Sequence, residues 1–540
     1  MSVRVDWRAS VALVGTVVRY LAVALLLPLA TALIYGDGIG VFVVTIAVAL
    51  AVGTALERLH DDPGDALGAR EGFLMVALTW LAVALLGAVP YLLAAHGIVL
   101  PEPVDIVVLE PIAPTSTLGA PANAVFESMS GVTTTGATVM GEIAPEKHSH
   151  AVMLWRQQTQ WLGGMGIVVL AVAILPELSV GGAQLMDAEA PGPGIEKLTP
   201  RIAETARALW GLYAGITLLE IVLLLGLNQA GLAPKMGPFN AVSHGFTTMP
   251  TGGFSPESRS IEAFSAAVQW LIVPFMIAAG TNFALFWHVA RGDLRTAVED
   301  AEFRFYGGVL GVLTAIGTAL LFVDPNLVAP VTTEFGDTLP ANGDLEKSAR
   351  HAVFQVVSIV TTTGYASMDF NAWSGPGEAL LVFAMFVGGS AGSTGGAIKV
   401  VRWLVIVKSI RRELFATVHP EAVRPVRLAG RPLDEDALRG IYVFTLLYVV
   451  LFLAGIVVLS LDAALVGYGE AGAQLSTLEA VTASAATLGN IGPGLEGVGP
   501  MGGYTGFTPQ SKLFMVVLMW IGRLEIFPVL VLLTDAYWRS

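Results

Sequence analysis

Ten stretches of this chain are apolar over a length that suits a membrane-spanning helix of about 20 residues: 10–35, 39–56, 72–96, 151–177, 205–230, 264–290, 304–323, 376–410, 440–461 and 511–535. Arg4 and Arg8 precede the first of them, as in a signal peptide. Its apolar run is longer than the ~7–15 residues of a signal-peptide core, so it is read as a retained span. Four shorter, half-apolar stretches lie between these, at 122–135, 239–252, 350–363 and 478–491. Each is too short to cross a bilayer and runs into glycine, threonine or asparagine. Surface loops, interfacial helices and re-entrant hairpins all fit such a pattern.

Composition narrows this to an integral membrane protein, and the ten helix-length stretches make it an all-α one. Of 540 residues 54% are hydrophobic and 13% charged, against roughly 25% charged in soluble domains, and the mean hydropathy is +0.69. A net charge of −14 argues against a nucleic-acid binder. The absence of cysteine excludes disulfides, thiolate metal sites and cysteine nucleophiles. Lysine is scarce beside arginine, which fits a salt-loving host and a GC-rich genome alike. Placing the N-terminus in the cytoplasm puts 20 Lys and Arg on the inner side and 6 on the outer, the bias expected of inner loops. Both termini are then cytoplasmic and all four short stretches face outward. Glu102, Asp105, Glu110, Asp324, Glu334, Asp337 and Asp344 make the outer face acidic, which concentrates cations.

The four short stretches align with one another without gaps: NAVFESMSGVTTTG (123–136), NAVSHGFTTMPTGG (240–253), HAVFQVVSIVTTTG (351–364) and EAVTASAATLGNIG (479–492). Each has Ala-Val at positions two and three and glycine at fourteen. Each lies between two apolar spans, a pattern that ordinary turns in outer loops do not generate four times in register. The predicted architecture is four pseudo-repeats of helix, pore half-helix, filter loop and helix around one central pore, with two extra N-terminal helices. The corresponding segments are 1–71 for the extra helices, 72–180, 181–300, 301–412 and 413–540. Non-helical backbone at membrane depth is tolerated where protein buries it or where it lines a water-filled cavity. Four such turns about one axis would offer rings of carbonyl oxygens able to replace an ion's hydration shell.

Three charged or glycine-rich features remain. Gly388, Gly389, Gly392, Gly395 and Gly396 interrupt the 376–410 stretch. The four-residue spacing of Gly388, Gly392 and Gly396 also fits a helix-packing face. Arg523 lies inside the last span, where a charge is costly and faces a pore or a partner, pairs with a carboxylate, or caps freed carbonyls. Glu220 and Lys399 are charges near spans that are able to snorkel to an interface. The inner loop 399–439 carries nine basic residues, at the least a topogenic signal. No HExxH or Gly-x-Ser-x-Gly motif supports the rival reading of a membrane enzyme.

These residues resemble the TrkH/KtrB/HKT superfamily of potassium transporters, its TrkH branch in particular. The likeness rests on the four filter segments, on WRQQTQWLGGMGIVVLAVAILP (155–176), EAPGPGIEKLTPRIAETARALW (189–210), GGSAGSTGGAIKVVRW (388–403) and GRLEIFP (522–528), and on the two extra N-terminal helices. The resemblance implies potassium (K+) as permeant ion, with rubidium (Rb+) as a stand-in. It places backbone-carbonyl ion ligands at Thr134, Thr135, Thr251, Gly252, Thr362, Thr363, Asn490 and Ile491, before filter glycines Gly136, Gly253, Gly364 and Gly492. It makes 388–396 an intramembrane gate loop, with Lys399 beside it and Arg523 opposite as an electrostatic barrier. It further implies a homodimer in the lipid of the cytoplasmic (inner) membrane and a cytoplasmic RCK-type regulatory subunit, TrkA-like, that binds NAD or ATP. No organic cofactor is expected in this chain. The sequence leaves open a channel, a proton- or sodium-coupled symporter and a less selective cation pore.

Overall fold

In the computed structural model, residues 5–60, 68–99, 107–173, 202–324, 342–422, 424–469 and 473–539 are described. The segment 174–201, with much of the second family motif, lies outside them, as do Arg4, Glu102, Asp105, Glu334 and Asp337. Helix dominates; Ile98–Val99 pairs with Val107–Leu109 and Arg427–Leu428 with Arg431–Pro432 as two small antiparallel ribbons.

Six helices among the described residues are long and apolar enough to span a bilayer: Trp7–Tyr35, Ile39–Glu57, Arg70–His96, Ala206–Gln229, Ala301–Val323 and Glu435–Leu465. Two bent helix pairs, Ala266–Ala279 with Phe283–Ala290 at 102° and Pro509–Arg523 with Phe527–Leu533 at 116°, are apolar enough only when taken together, as a broken span or a re-entrant loop would be. The chain is a multi-pass membrane protein. The other two expected stretches differ for physical reasons. His150–Ala173 is one helix, but its polar run from Arg156 to Gln160 dilutes the apolar pattern. The 376–410 stretch is no single helix: Gly375–Ala384 ends, irregular backbone follows, and Val400–Val418 begins. Each glycine there costs a helix roughly 1 kcal/mol against alanine.

The four short stretches form half-helices, Pro121–Val132, Pro238–Thr248, Leu345–Val360 and Thr477–Leu488. At 12, 11, 16 and 12 residues they are about 17–24 Å long, all short of a ~30 Å hydrocarbon core. Their starts are set locally. Proline opens the first two, where its missing N–H costs nothing. Asp344 and Ser476 cap the other two by accepting from the N–H groups of Lys347 and Glu479.

The chain divides into two compact units: residues 1–163, 252–260 and 455–540, and residues 164–251 and 261–454. The first holds half-helices one and four. Its two N-terminal helices approach closely, since a Cβ on Gly15 would stand 2.7 Å from the Gly53 carbonyl oxygen, a small-residue contact suited to lipid. Gly87 and Gly455 similarly admit Ser128 and Ser484 of half-helices one and four. The second unit holds half-helices two and three. In repeat two the glycine is on the half-helix, where a Cβ on Gly245 would stand 2.5 Å from Ile221. The neighbouring span position carries the buried carboxyl of Glu220 instead.

Candidate functional site

Every half-helix ends in the same backbone inversion. Thr134, Thr251, Thr362 and Asn490 have φ of 53°, 56°, 60° and 52°, and two residues on Gly136, Gly253, Gly364 and Gly492 have 81°, 75°, 80° and 102°. The second inversion of repeat two falls on Gly253; Gly252 is not left-handed. A non-glycine residue held there, β-branched threonine above all, costs roughly 1–3 kcal/mol and persists only where its surroundings enforce it. They do so by taking the N–H groups: Thr134, Thr251, Thr362 and Asn490 donate back to Gly131, Thr248, Ile359 and Thr487. Thr135, Thr363 and Ile491 donate to Ser130, Ser358 and Ala486. The carbonyls are thereby turned away from the helix end. In repeats one and three a hydroxyl clip, Thr133 to Thr135 and Thr361 to Thr363, closes the turn at 2.7 Å each.

In the first unit, turn one is held from behind by a fully buried ion pair. Arg156 Nε donates to Glu127 Oε1 at 2.7 Å. The same oxygen accepts from Thr138 Oγ1 and Oε2 accepts from the Val139 N–H, both at 2.8 Å. Arg156 Nη1 donates to the Ser255 carbonyl at 3.1 Å, with the guanidinium 3.4 Å over the Phe254 ring. One helical turn further on, Gln160 Nε2 donates to the Gly252 carbonyl at 2.6 Å and its Oε1 accepts from the Phe254 N–H at 3.1 Å. A Cβ on Gly252 would collide with that amide, which explains two consecutive glycines in turn two. Asn490 Nδ2 ties turn four to Thr135 Oγ1 at 3.0 Å and to the Met519 carbonyl at 2.9 Å. Arg523 is the last residue before the 116° bend, whose Glu525 and Ile526 are left-handed at 56° and 67°. It donates to the Gly163 carbonyl at 3.4 Å and lies 5.9 Å from the Trp80 ring centre.

In the second unit, turn three is backed by neutral groups. Gln355 and Ser358 both donate to the Tyr365 carbonyl, at 3.0 and 2.7 Å. The Tyr365 hydroxyl reaches Thr247, Thr248 and the His244 carbonyl of half-helix two. The glycine loop is held as closely. Its Ser390 N–H donates to the Gly280 carbonyl at 2.8 Å, its Ala391 N–H to Glu302 Oε1 at 2.7 Å, and its Gly396 N–H to Thr362 Oγ1 at 2.7 Å. Gly392, left-handed at 68°, accepts from the Phe283 N–H at 3.1 Å. Thr394 Oγ1 reaches the Met249 and Ala279 carbonyls, and Lys399 Nζ the Gly395 carbonyl. Packing therefore occupies these glycines, but of an irregular loop rather than a helix face.

The sequence-predicted residues thus divide. Thr134–Gly136, Gly252, Gly253, Asn490–Gly492 and Arg523 belong to the first unit; Thr251, Thr362–Gly364, the loop glycines and Lys399 belong to the second. Of the eight expected carbonyls, Gly252 is engaged by Gln160, and among the described residues no hydrogen bond reaches the other seven. Sequence reasoning assigned no role to Glu127, Gln160, Glu302 or Tyr365, and counted Arg156 only as a charge inside a span. A buried arginine one turn from a glutamine, beside a carboxylate in a half-helix, was the available signal.

Residues 38–540 match the TrkH family, described as a cation transport protein. The chain is 36% identical to the Trk system potassium uptake protein TrkH of Escherichia coli (strain K12), over 99% of this chain and 100% of that one. It is 37% identical to the protein of the same name from Halomonas elongata, over 98% of each. Among solved structures it resembles the crystal structure of the potassium transporter TrkH from Vibrio parahaemolyticus with a TM-score of 0.80 and 33% identity, over 99% of this chain and 100% of that one.

Proposed function

We propose, from a chain that belongs to the TrkH family of cation transport proteins, that its four glycine turns act together as one potassium-selective filter. Membership makes it a membrane protein of potassium uptake rather than an enzyme. The observation that supports the filter is the inversion pair repeated at Thr134/Gly136, Thr251/Gly253, Thr362/Gly364 and Asn490/Gly492. Alternating backbone handedness turns successive carbonyls to one side, the arrangement that replaces the hydration shell of a cation. Thr134, Thr135, Thr251, Thr362, Thr363, Asn490 and Ile491 offer carbonyls of this kind; Gly252 offers one already steadied by Gln160.

The glycine loop 388–396 is the gate in this reading. A segment built from so many glycines has low intrinsic helix stability and is held by single hydrogen bonds that can be exchanged. Lys399 fixes its exit, and Arg523 repels cations approaching from the cytoplasm. Regulation comes from a soluble RCK-type subunit that binds NAD or ATP on the cytoplasmic face. The protein works as a homodimer in the inner membrane with both termini inside.

The deciding experiment is rubidium uptake into liposomes holding only this purified chain, driven by an outward potassium gradient with sodium and pH gradients collapsed. Uptake that discriminates against sodium, with discrimination relaxed by Gly364→Ser, is the expected result. Sodium competition unchanged by Gly364→Ser would overturn the filter assignment. Uptake that appears only when a sodium or proton gradient is restored would replace the channel with a symporter.

A further inference from the structure

We infer that Arg156 and Gln160, acting with Glu127, are positioning residues that set cation selectivity by holding turns one and two in register. The inference rests on the filter reading above and names what fixes its geometry. The two residues lie four apart on His150–Ala173, so they share one face of that helix. From that face they grip the chain after half-helix two at three successive points: the Gly252 carbonyl, the Phe254 N–H and the Ser255 carbonyl. Glu127, on half-helix one, grips the chain after turn one at Thr138 and Val139. The 2.7 Å ion pair between Arg156 and Glu127 joins the two grips.

The arrangement is one of position rather than of simple adhesion. Glu127 is 0% exposed and Arg156 1%, so both charges have left water. A buried ion pair is a poor source of stability against apolar side chains of the same volume, and its best-attested use is to fix register. Here its hydrogen bonds end on backbone atoms and a threonine of the turn exits. The Phe254 ring, 3.4 Å under the guanidinium, selects arginine over lysine, because only a planar cation stacks there while donating on two sides. Gln160 is selected in the same way. It donates to a carbonyl and accepts from an N–H at once, through the two separate ends of one planar amide.

None of these side chains needs to touch the ion. They fix how far the Gly252 carbonyl stands from turn one. A Cβ on Gly136 would run into that same carbonyl oxygen, so the two turns already meet at van der Waals distance. A filter discriminates by the geometry and field of its carbonyls, so slack at this junction admits sodium before it stops flux.

The test compares sodium inhibition of rubidium uptake with maximal uptake in proteoliposomes. It uses Arg156→Lys, Gln160→Leu and Gln160→Glu, with Gly364→Ser as a filter control elsewhere. The expected result is monodisperse protein with maximal rubidium flux within a few-fold of the parent and several-fold stronger inhibition by sodium. Gln160→Glu keeps the shape and the Phe254 acceptor but loses the donor to Gly252. It decides the matter should Arg156→Lys fail to fold. If Gly364→Ser loses discrimination while Arg156→Lys and both Gln160 variants keep it, the inference is wrong and the filter stands. If Gly364→Ser also keeps it, the filter reading itself falls.

Discussion

Turns one and three carry the same Thr-Thr-Thr-Gly sequence, the same inversion pair and the same threonine clip, but they are held by different means. Turn one is braced by buried charge and lies against a continuous helix; turn three is braced by Gln355, Ser358 and Tyr365 and lies against an irregular loop. The two turns share a local conformation, and their surroundings set one against a packed helix and the other against the loop proposed to move. The contrast is sharpest at the glycines under each turn. A Cβ on Gly163 would collide with the Val132 carbonyl, and one on Gly522 with the Leu488 carbonyl of the fourth half-helix. In the loop, a Cβ on Gly395 would stand 3.1 Å from the Thr361 carbonyl oxygen, a contact that a shift of a few tenths of an ångström relieves.

The largest expected effect follows from that difference. Gly163→Ala forces backbone apart inside a packed core, an overpacking of at least ~1–3 kcal/mol, and lowers both folded yield and thermal midpoint in detergent. Gly395→Ala leaves the midpoint near the parent value and alters flux instead. Equal destabilisation by the two would show that the loop is as rigid as the packed helix.

A smaller, opposite effect is expected at Glu302, which opens Ala301–Val323 and accepts the Ala391 N–H of the loop at 2.7 Å. Glu302→Ala leaves that buried N–H without its acceptor, a penalty of roughly 1–3 kcal/mol on the loop as packed here, which under the proposed gating is a ~5–150-fold rise in open population. Rubidium uptake without any soluble partner increases, and sodium discrimination does not change. Glu302→Gln, whose amide oxygen still accepts, returns uptake toward the parent value. Loss of discrimination in Glu302→Ala would mean that the loop also shapes the filter.

The two kinds of bracing were not equally legible in the sequence. The existence of the turns was, because a glycine at the same place after four short helices, in register, exposes the pattern; the left-handed threonines before them were not. The register that aligns Gly253 rather than Gly252 with the other three glycines also aligns the left-handed φ of all four. The bracing was not. Glu127 and Arg156 stand 29 residues apart on separate elements, and nothing in the local pattern around either names the other. Glu302 meets Ala391 across 89 residues. Hydropathy predicts one span over 376–410, because alanine, valine and glycine are apolar whether helical or not. The break depends on neighbouring N–H and carbonyl groups that satisfy the loop. Arg523 was visible as a charge, while its place at a 116° bend was hidden inside an unbroken apolar run.

The smallest effect tests the part the two turns share. Thr133→Val and Thr361→Val each remove one clip hydroxyl, which also donates to the carbonyl of Met129 or Val357 at 2.7 Å. Each loses about 1 kcal/mol of net hydrogen bonding with little change of shape. In turn one the exit stays pinned by Glu127 and the second turn by Gln160, so sodium discrimination in Thr133→Val stays near the parent value. In turn three the adjacent Thr362 hydroxyl is tied to the Gly396 N–H of the loop, so slack passes into the loop proposed as the gate. Thr361→Val therefore changes rubidium flux in the absence of partner more than Thr133→Val does. Identical responses in flux and discrimination would mean that the surroundings do not differentiate the turns, and that the clip alone sets their behaviour.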